Sequence, residues 1–524
     1  MRHGGAKTVA PALPRSRPMP TPPDTALFAG WDFSTGSVKA LAIDLHGETV
    51  AEVRLPTDLW TDRGVSELNL MMLEGQARAI TRALAAELRR LGRLNDWVAG
   101  GISATHHTAG RIDADNNPVR RAICWNDQTL AKYHAEGEAR LGGPERVQEL
   151  IGGPWAVRYS LSHLVKDEQT LSRADWLRTK GLLQHGSLAA GYLTGNFDTV
   201  SVSAAASTGL LDLRTATWQP AMLDAIADPE YRALAAECLP RVIDMHTPIG
   251  RLSESTALDA GLPSGVRPWV FPTLDDQAAG LVGGGAVADG QLAIILGNSA
   301  VVNSSSARPP QSGSLDAMRL NWGPYLWMRC YSNGAQFLDR VVGANPDWTV
   351  LEAAARKVAP GCGGVAVIPF ALSEPSVGVH APRFEWLPHE PNEPGVRLRA
   401  SFEALAYLIA LAVQEHEAAG QTITRVTVSG GIAKSDLMAE ILASVLNRPL
   451  ERLVSNEGPA LGAAVVALAG YTAMGGAVAS PGEGVAAAVA KLVKFRGETV
   501  PRPEWVAAYR AGLQTFRGRI TGRE

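Results

Sequence analysis

Two stretches of the same make constrain this chain more than anything else in it. Phe28-Ala-Gly-Trp-Asp-Phe-Ser-Thr-Gly-Ser-Val-Lys-Ala-Leu-Ala-Ile-Asp44 sets apolar strands on either side of a polar loop, and Gln291-Leu-Ala-Ile-Ile-Leu-Gly-Asn-Ser299 runs an apolar strand into a loop of Gly, Asn and Ser. Just ahead of the second lies Phe271-Pro-Thr-Leu-Asp-Asp-Gln-Ala-Ala-Gly280, two adjacent carboxylates followed by small residues that let another segment or a ligand approach. Each half of the chain thus carries one polar loop flanked by strands, and two such loops facing each other make a nucleotide cleft. A loop rich in hydroxyls and backbone N–H groups is an anion nest, and a carboxylate such as Asp32 beside it can hold Mg²⁺ directly or through water. Taken alone, the first stretch reads equally as a polar hairpin tip.

The 524 residues are 46% apolar with a formal net charge of -3, enough to bury two sizeable cores. Charges are interspersed, with neither a basic stripe nor a polybasic tail, so nucleic-acid and membrane-surface partners are not expected. No apolar run is long enough to span a bilayer. Cys124, Cys238, Cys330 and Cys362 stand far apart without metal-binding spacing and read as reduced thiols of a cytoplasmic protein. Residues 1–26, Pro-rich and lacking an apolar signal core, read as a disordered arm, with Met19 an alternative start.

Along the chain, residues 28–43 read as a hairpin. Ile80, Leu84, Leu88 and Leu91 fall on one face of a helix over 73–91. Residues 98–103 form a buried strand ending in Ala104-Thr-His-His-Thr108, and strand ends are where open α/β sheets place ligands. His106 and His107 are unlike a metal pair, because neighbours on a strand face opposite ways. The strand 122–127 ends in Trp125, Asn126 and Asp127, an aromatic and two hydrogen-bonding groups that suit a sugar; a core Trp with a capping Asn or Asp is the plainer alternative. Ser203-Ala-Ala-Ala-Ser-Thr208 reads as close packing. The pattern predicts a tightly packed helix over 277–282, a domain junction near Asp289-Gly290, and strands at 291–296, 325–330 and 425–428. Asn333-Gly334 is a turn or cap, or touches a nucleoside. Ser429-Gly-Gly-Ile-Ala-Lys434 and a cap at Ser435 open a helix in a geometry suited to an anion or adenosine, since missing Cβ atoms admit a ligand against backbone N–H groups. A further helix begins at Glu457-Gly-Pro, and the tail after Gly470 reads as loops with one helix over 505–520.

In order and type these motifs resemble the FGGY family of carbohydrate kinases over about residues 30–470. Gly30 to Lys39 is similar to its first phosphate loop, Cys124-Trp-Asn-Asp127 to its Trp-Asn-Asp element, Asp276-Gln-Ala-Ala-Gly280 to its catalytic segment and Leu296-Gly-Asn-Ser299 to its second phosphate loop. Residues 429–435 and 460–464 resemble its adenosine segments, and Trp31 to Thr35 with Cys330 to Gly334 look most like the xylulokinase branch. The resemblance implies an α/β fold of two ribonuclease-H-like domains, the actin and hexokinase type, flanking a nucleotide cleft: a sugar-binding domain over 27–288 and an ATP-binding domain with a tail helix over 289–524.

The resemblance further implies a kinase that moves the γ-phosphoryl of ATP, with Mg²⁺, to a primary hydroxyl of a ketopentose, foremost xylulose, with ribulose, erythritol, glycerol and gluconate as alternatives. Asp276 is then the base. His106, His107, Trp125, Asn126, Asp127 and Gln277 bind sugar. Asp32, as metal ligand, joins Ser34, Thr35, Gly297, Asn298, Ser299, Asn333, Gly430, Gly431, Lys434 and Ser435 around the nucleotide. Asp275, pointing elsewhere than Asp276, caps or pairs. A homodimer is compatible with all this. The competing classes are an actin-like ATPase switch and a degenerate sugar sensor.

Overall fold

The computed structural model describes residues 21–311, 315–343, 346–455, 457–476 and 480–521. Most of the arm, residues 1–20, lies outside this range, while Ala26 at its end is already fully buried. Two seven-stranded sheets carry the molecule. The first contains β1 (Leu27–Phe33), β2 (Ser37–Asp44), β3 (Thr49–Pro56), β4 (Trp97–Ala104), β5 (Gly250–Arg251), β6 (Trp269–Val270) and β7 (Leu274–Asp275), in the order β5-β6-β4-β1-β2-β3 with β7 also on β4. The second contains β8 (Gln291–Leu296), β9 (Ala300–Ser306), β10 (Asp316–Arg319), β11 (Tyr325–Tyr331), β12 (Arg425–Ser429), β13 (Leu450–Leu453) and β14 (Phe495–Thr499), in the order β10-β11-β9-β8-β12-β13-β14.

The two sheets repeat one plan. β1, β2 and β3 form an antiparallel meander with β4 parallel to β1, and β8, β9 and β11 form another with β12 parallel to β8. Both polar loops are therefore hairpin turns at the same place in the plan, as the paired stretches foretold. The helix α1 (Leu73–Arg90) buries Leu73, Ala77, Ile80, Leu84 and Leu88. Leu91, expected on that face, falls at the C-cap and stays exposed.

Two helices cross between the sheets: α2 (Asp276–Gly283), which follows β7, and α3 (Gly458–Met474), which follows β13. They approach to backbone contact. A Cβ on Gly462 of α3 would lie 1.9 Å from the carbonyl oxygen of Ala279, and one on Gly283 1.9 Å from that of Gly458. The same helix α3 lies on the first sheet, where a Cβ on Gly30 would sit 1.8 Å from the Ala460 oxygen and one on Gly101 2.2 Å from that of Ala463. On its other side α2 meets the second sheet through Gly280, against the Ile295 side chain. The small residues at 280, 283 and 458–464 thus do what their pattern suggested, in a joint between the halves.

Two expectations fail here. The tail is more than loops and one helix: Pro481–Leu492 is a helix, β14 closes the second sheet, and the anticipated helix runs Pro503–Thr521. The strand at 122–127 is only Ala122–Ile123, one of five short strands in a smaller sheet, because the chain turns at Cys124. No described helix is long and apolar enough to cross a membrane.

Gly462→Ala is expected to cost about 3 kcal/mol, since two helix backbones must separate to admit the methyl. Gly75→Ala, on α1 with no atom within 4 Å of the new Cβ, is expected to be neutral or to gain up to about 1 kcal/mol. Thermal denaturation of the two variants, ranked against the parent, checks the difference.

Candidate active site

Asp276 opens α2, and its neighbour aims it. Asp275 ends β7 and turns inward as the N-cap: its Oδ1 accepts from the N–H groups of Gln277 at 3.0 Å and Ala278 at 2.9 Å, and its Oδ2 from the Ser203 hydroxyl at 2.6 Å. Successive residues at this junction diverge. Asp276 is therefore half-buried, with an Oδ1 that no group satisfies and with Gln277 and the backbone N–H of His106 beside its carboxyl. Gln277 is itself steadied by Asn303, whose side-chain amide donates to its Oε1 at 3.2 Å. Burial, then the charges of Asp275 and Asp32, hold the Asp276 carboxyl well above the usual carboxylate range.

Asp32 stands on β1 beside Ser103 of β4, whose hydroxyl donates to it at 2.9 Å, and across from Lys39 of β2. Burial pushes its carboxyl up to about 6, opposed by Lys39 and by that hydroxyl. Lys39 in turn reaches Glu457 at 2.5 Å, just ahead of α3. The ligand atoms of His106, Asp275 and Asp276 lie within 4.8 Å of one another, the group among the described residues that could hold a metal; Asp32, the expected ligand, stands outside it. Mg²⁺ takes oxygen donors and disfavours imidazole. The unsatisfied Oδ1 of Asp276 and the carboxylate of Asp32 are the donors that fit it.

The two histidines depart from the strand rule. They lie past the end of β4, and His107 takes a left-handed φ of 59°, which folds its ring onto that of His106. The ring centroids are 3.5 Å apart, and Tyr159 stacks on His107 at 4.4 Å, so the three form one column. His107 donates from Nδ1 to the Ser207 carbonyl at 2.8 Å, which leaves Nε2 as the acceptor. Burial lowers both imidazoles, His106 to about 4, and they are neutral at pH 7. Nε2 of His106, Nε2 of His107 and the Tyr159 hydroxyl are buried without a hydrogen-bond partner, the nearest acid to His106 being Asp275 Oδ1 at 3.8 Å. Buried polar atoms are normally satisfied, so three orphans in one column next to Asp276 suit a ligand rich in hydroxyls.

Three expected sugar residues are not joined to the column by any hydrogen bond among the described residues. Trp125 is half-buried and Asn126 exposed in the turn after Ile123, and no hydrogen bond or ring contact among the described residues joins them to the column. Asp127 is occupied: its carboxylate accepts from the Thr129 N–H at 2.8 Å and from Lys166 Nζ at 2.9 Å. Burial pushes it up, but those bonds outweigh burial and hold it below its ordinary value.

At the first loop, both the N–H and the hydroxyl of Ser34 donate to the Ser37 carbonyl, at 3.1 and 2.8 Å, so Ser34 Oγ offers a ligand lone pairs alone; Thr35 and Gly36 form the tip. At the second, Gly297 N–H donates to the Ser299 carbonyl at 3.0 Å, and Gly334 N–H braces Asn298 at 3.1 Å. Asn333 proves to be a strut: 1% exposed, it accepts from Leu372 N–H at 2.9 Å and donates to Glu374 at 3.2 Å. Gly430 must be glycine, with φ 96° and a would-be Cβ 2.3 Å from the Leu296 oxygen, whereas Gly431 is exposed with nothing within 4 Å. Lys434 is exposed, and Ser435 caps the helix Asp436–Leu446 through the Met438 N–H at 3.1 Å. Cys330 on β11 ties the loops to the base: it bonds Ser299 and feels the charge of Asp276, while burial pushes its thiol up to about 11.

The family models decide the identity. That for the N-terminal domain of the FGGY carbohydrate kinases matches residues 27–283, and that for the C-terminal domain matches residues 292–471. The chain belongs to the FGGY family of carbohydrate kinases. This kinase is 26% identical to the xylulose kinase of Escherichia coli (strain K12), over 94% of its own chain and 98% of the relative. It is 27% identical to the autoinducer-2 kinase of Yersinia pestis (strain Angola), over 96% and 95%. The crystal structure of ligand-bound xylulose kinase from Lactobacillus acidophilus superposes with a TM-score of 0.81 at 16% identity, over 95% of this chain and 98% of that one. The fold is the expected one, two α/β domains of the actin and hexokinase type.

Several side chains of the kinase's site escaped sequence reasoning. Lys39 was legible in principle, two strands facing across a short loop placing it opposite Asp32. Tyr159 carried no signal, and Ser203 and Ser207 were read as packing residues. Because burial raises Asp32 from 3.8 to about 6, the native state holds the extra proton between those values. Stability then falls as pH rises through that window, and the penalty is complete above it. Without Mg²⁺ or nucleotide, Asp32→Asn is expected to melt above the parent at pH 7, by a margin that closes toward pH 4; a margin independent of pH would contradict the assignment.

Proposed function

We propose that this kinase transfers the γ-phosphoryl group of ATP to a primary hydroxyl of a ketopentose, xylulose foremost. The observation that carries the proposal is Asp276, a carboxylate unsatisfied at Oδ1 and raised toward the range in which a general base works, set beside a column of orphaned sugar-facing atoms. A sugar on His106, His107 and Tyr159 would satisfy their three free polar atoms with its hydroxyls and turn its terminal hydroxyl to Asp276, while Gln277 holds a neighbouring one. The hairpin loops at residues 34–36 and 297–299 would hold the phosphates, and the open surface over Gly431 would receive the nucleoside. Phosphoryl transfer passes through a loose transition state, so the work of the protein is in-line positioning and charge neutralisation. Mg²⁺, held by Asp32, would neutralise charge on the phosphates, and Lys39 would add to it from the first sheet.

The chain divides on this reading near Asp289-Gly290, into a sugar-binding half and a nucleotide-binding half that close on each other and exclude water. Its setting is the cytoplasm. Xylulose is favoured because the kinase spans nearly the whole of a xylulose kinase; the equal likeness to an autoinducer-2 kinase favours, second, a different polyol chain. An ATPase switch on the same fold would have no use for the aromatic column.

The test is ADP release with ATP and Mg²⁺ against D-xylulose, L-xylulose, D- and L-ribulose, glycerol, erythritol, gluconate and L-fuculose, with a sugar-free control. One sugar, D-xylulose first, is expected to raise turnover far above the control; turnover indifferent to sugar would support the switch. Asp276→Ala is expected to lower kcat by about 10²–10⁴ with the best sugar. A variant at full activity would overturn the role given to Asp276.

A further inference from the structure

The edge strand β10 of the second sheet and the turn after it are fastened to the first half at two points, and each point leads to a different part of the site. At its start, Asp316, buried, pairs with the Arg158 guanidinium. Arg158 immediately precedes Tyr159, the outer ring of the aromatic column, and its carbonyl accepts from His163 Nε2 at 3.1 Å. Its charge reaches His106, His107, Tyr159 and Cys330, so the guanidinium acts on the column electrostatically. Two residues past the strand, Asn321 accepts from the Ser203 N–H at 2.8 Å and donates to the Thr273 carbonyl at 3.0 Å. Ser203 is the residue whose hydroxyl holds Asp275, the cap that aims Asp276.

We propose that the segment from Asp316 to Asn321 couples the second half to the site through two separable fastenings, Asp316 to Arg158 setting the sugar-binding column and Asn321 to Ser203 and Thr273 setting the aim of the catalytic carboxylate. Arg158, Asp316 and Asn321 are positioning residues on this inference, which rests on the sugar occupying the column and Asp276 being the base. A pair that only joined two surfaces would affect stability alone. These fastenings touch different functional groups and therefore divide between binding and chemistry.

Steady-state kinetics with the best sugar should show that division. Arg158→Met and Asp316→Asn are expected to raise the sugar KM about tenfold with kcat within about twofold, and Asn321→Ala to lower kcat about tenfold with KM within about twofold. Arg158→Asp combined with Asp316→Arg should recover part of the KM that either change alone loses. Equal effects of all three variants on both constants, or a reversed pair no better than its single changes, would overturn the inference. Hydrogen exchange on the unliganded protein decides it even where no sugar is turned over. Asn321→Ala should speed amide exchange in the first turn of α2, at Gln277 and Ala278, and Asp316→Asn should leave that turn unchanged and speed exchange around Tyr159 instead. Unaltered exchange in both variants would contradict it, whereas sugar-independent turnover with the exchange pattern intact would count against the kinase chemistry alone.

Discussion

The structure depends on one contact in which side chains take no part. Helices α2 and α3 touch backbone to backbone, with Gly283 under the carbonyl of Gly458 and Gly462 under that of Ala279. Because α3 also lies against Gly30 of β1 and Gly101 of β4, the second half grips the first sheet at the strands that carry Asp32 and lead to His106. Dispersion between atoms decays within an ångström or so of contact, so such a joint tolerates no added methyl. The same approach brings Asp276, first residue of α2, and Glu457, just ahead of α3, to the cleft that contains Asp32 and Lys39.

Around that joint the electrostatics are those of a site prepared for charge it does not itself supply. Asp32, Asp275 and Asp276 crowd together, and burial raises the carboxyls of Asp32 and Asp276. Asp275 is held as the cap, with two N–H donors and a hydroxyl on its carboxylate. One of two adjacent acids is thus tied down by hydrogen bonds while its neighbour keeps a free oxygen. The division of labour follows from a single turn of backbone at the start of a helix.

Much of the fold was legible because its signals are local and periodic: the paired hairpins, the helix expected over 73–91 and found over 73–90, the glycine-spaced helices and the capping Ser435. The tail was not, since β14 is a strand by virtue of pairing with β13, a partner its own residues do not announce. The local geometry of the candidate site was legible where neighbours in sequence set it, as at Asp276, Gln277 and Gly430. It was not where tertiary context intervenes. A left-handed turn stacks His107 on His106 against the rule for strands, Lys166 from a distant helix occupies Asp127, and the loop at Leu372 and Glu374 occupies Asn333. Tyr159 and Asn321 enter the site from segments whose composition is ordinary.

The most direct measurement is a crystal structure of the protein with a non-hydrolysable ATP analogue, Mg²⁺ and D-xylulose. The terminal phosphoryl group should lie between the loops at residues 34–36 and 297–299, in line with a sugar hydroxyl that is within hydrogen-bonding distance of Asp276, with the sugar's other hydroxyls on His106, His107 and Tyr159. A nucleotide bound away from those loops, or a sugar whose nearest hydroxyl is out of reach of Asp276, would contradict the site described.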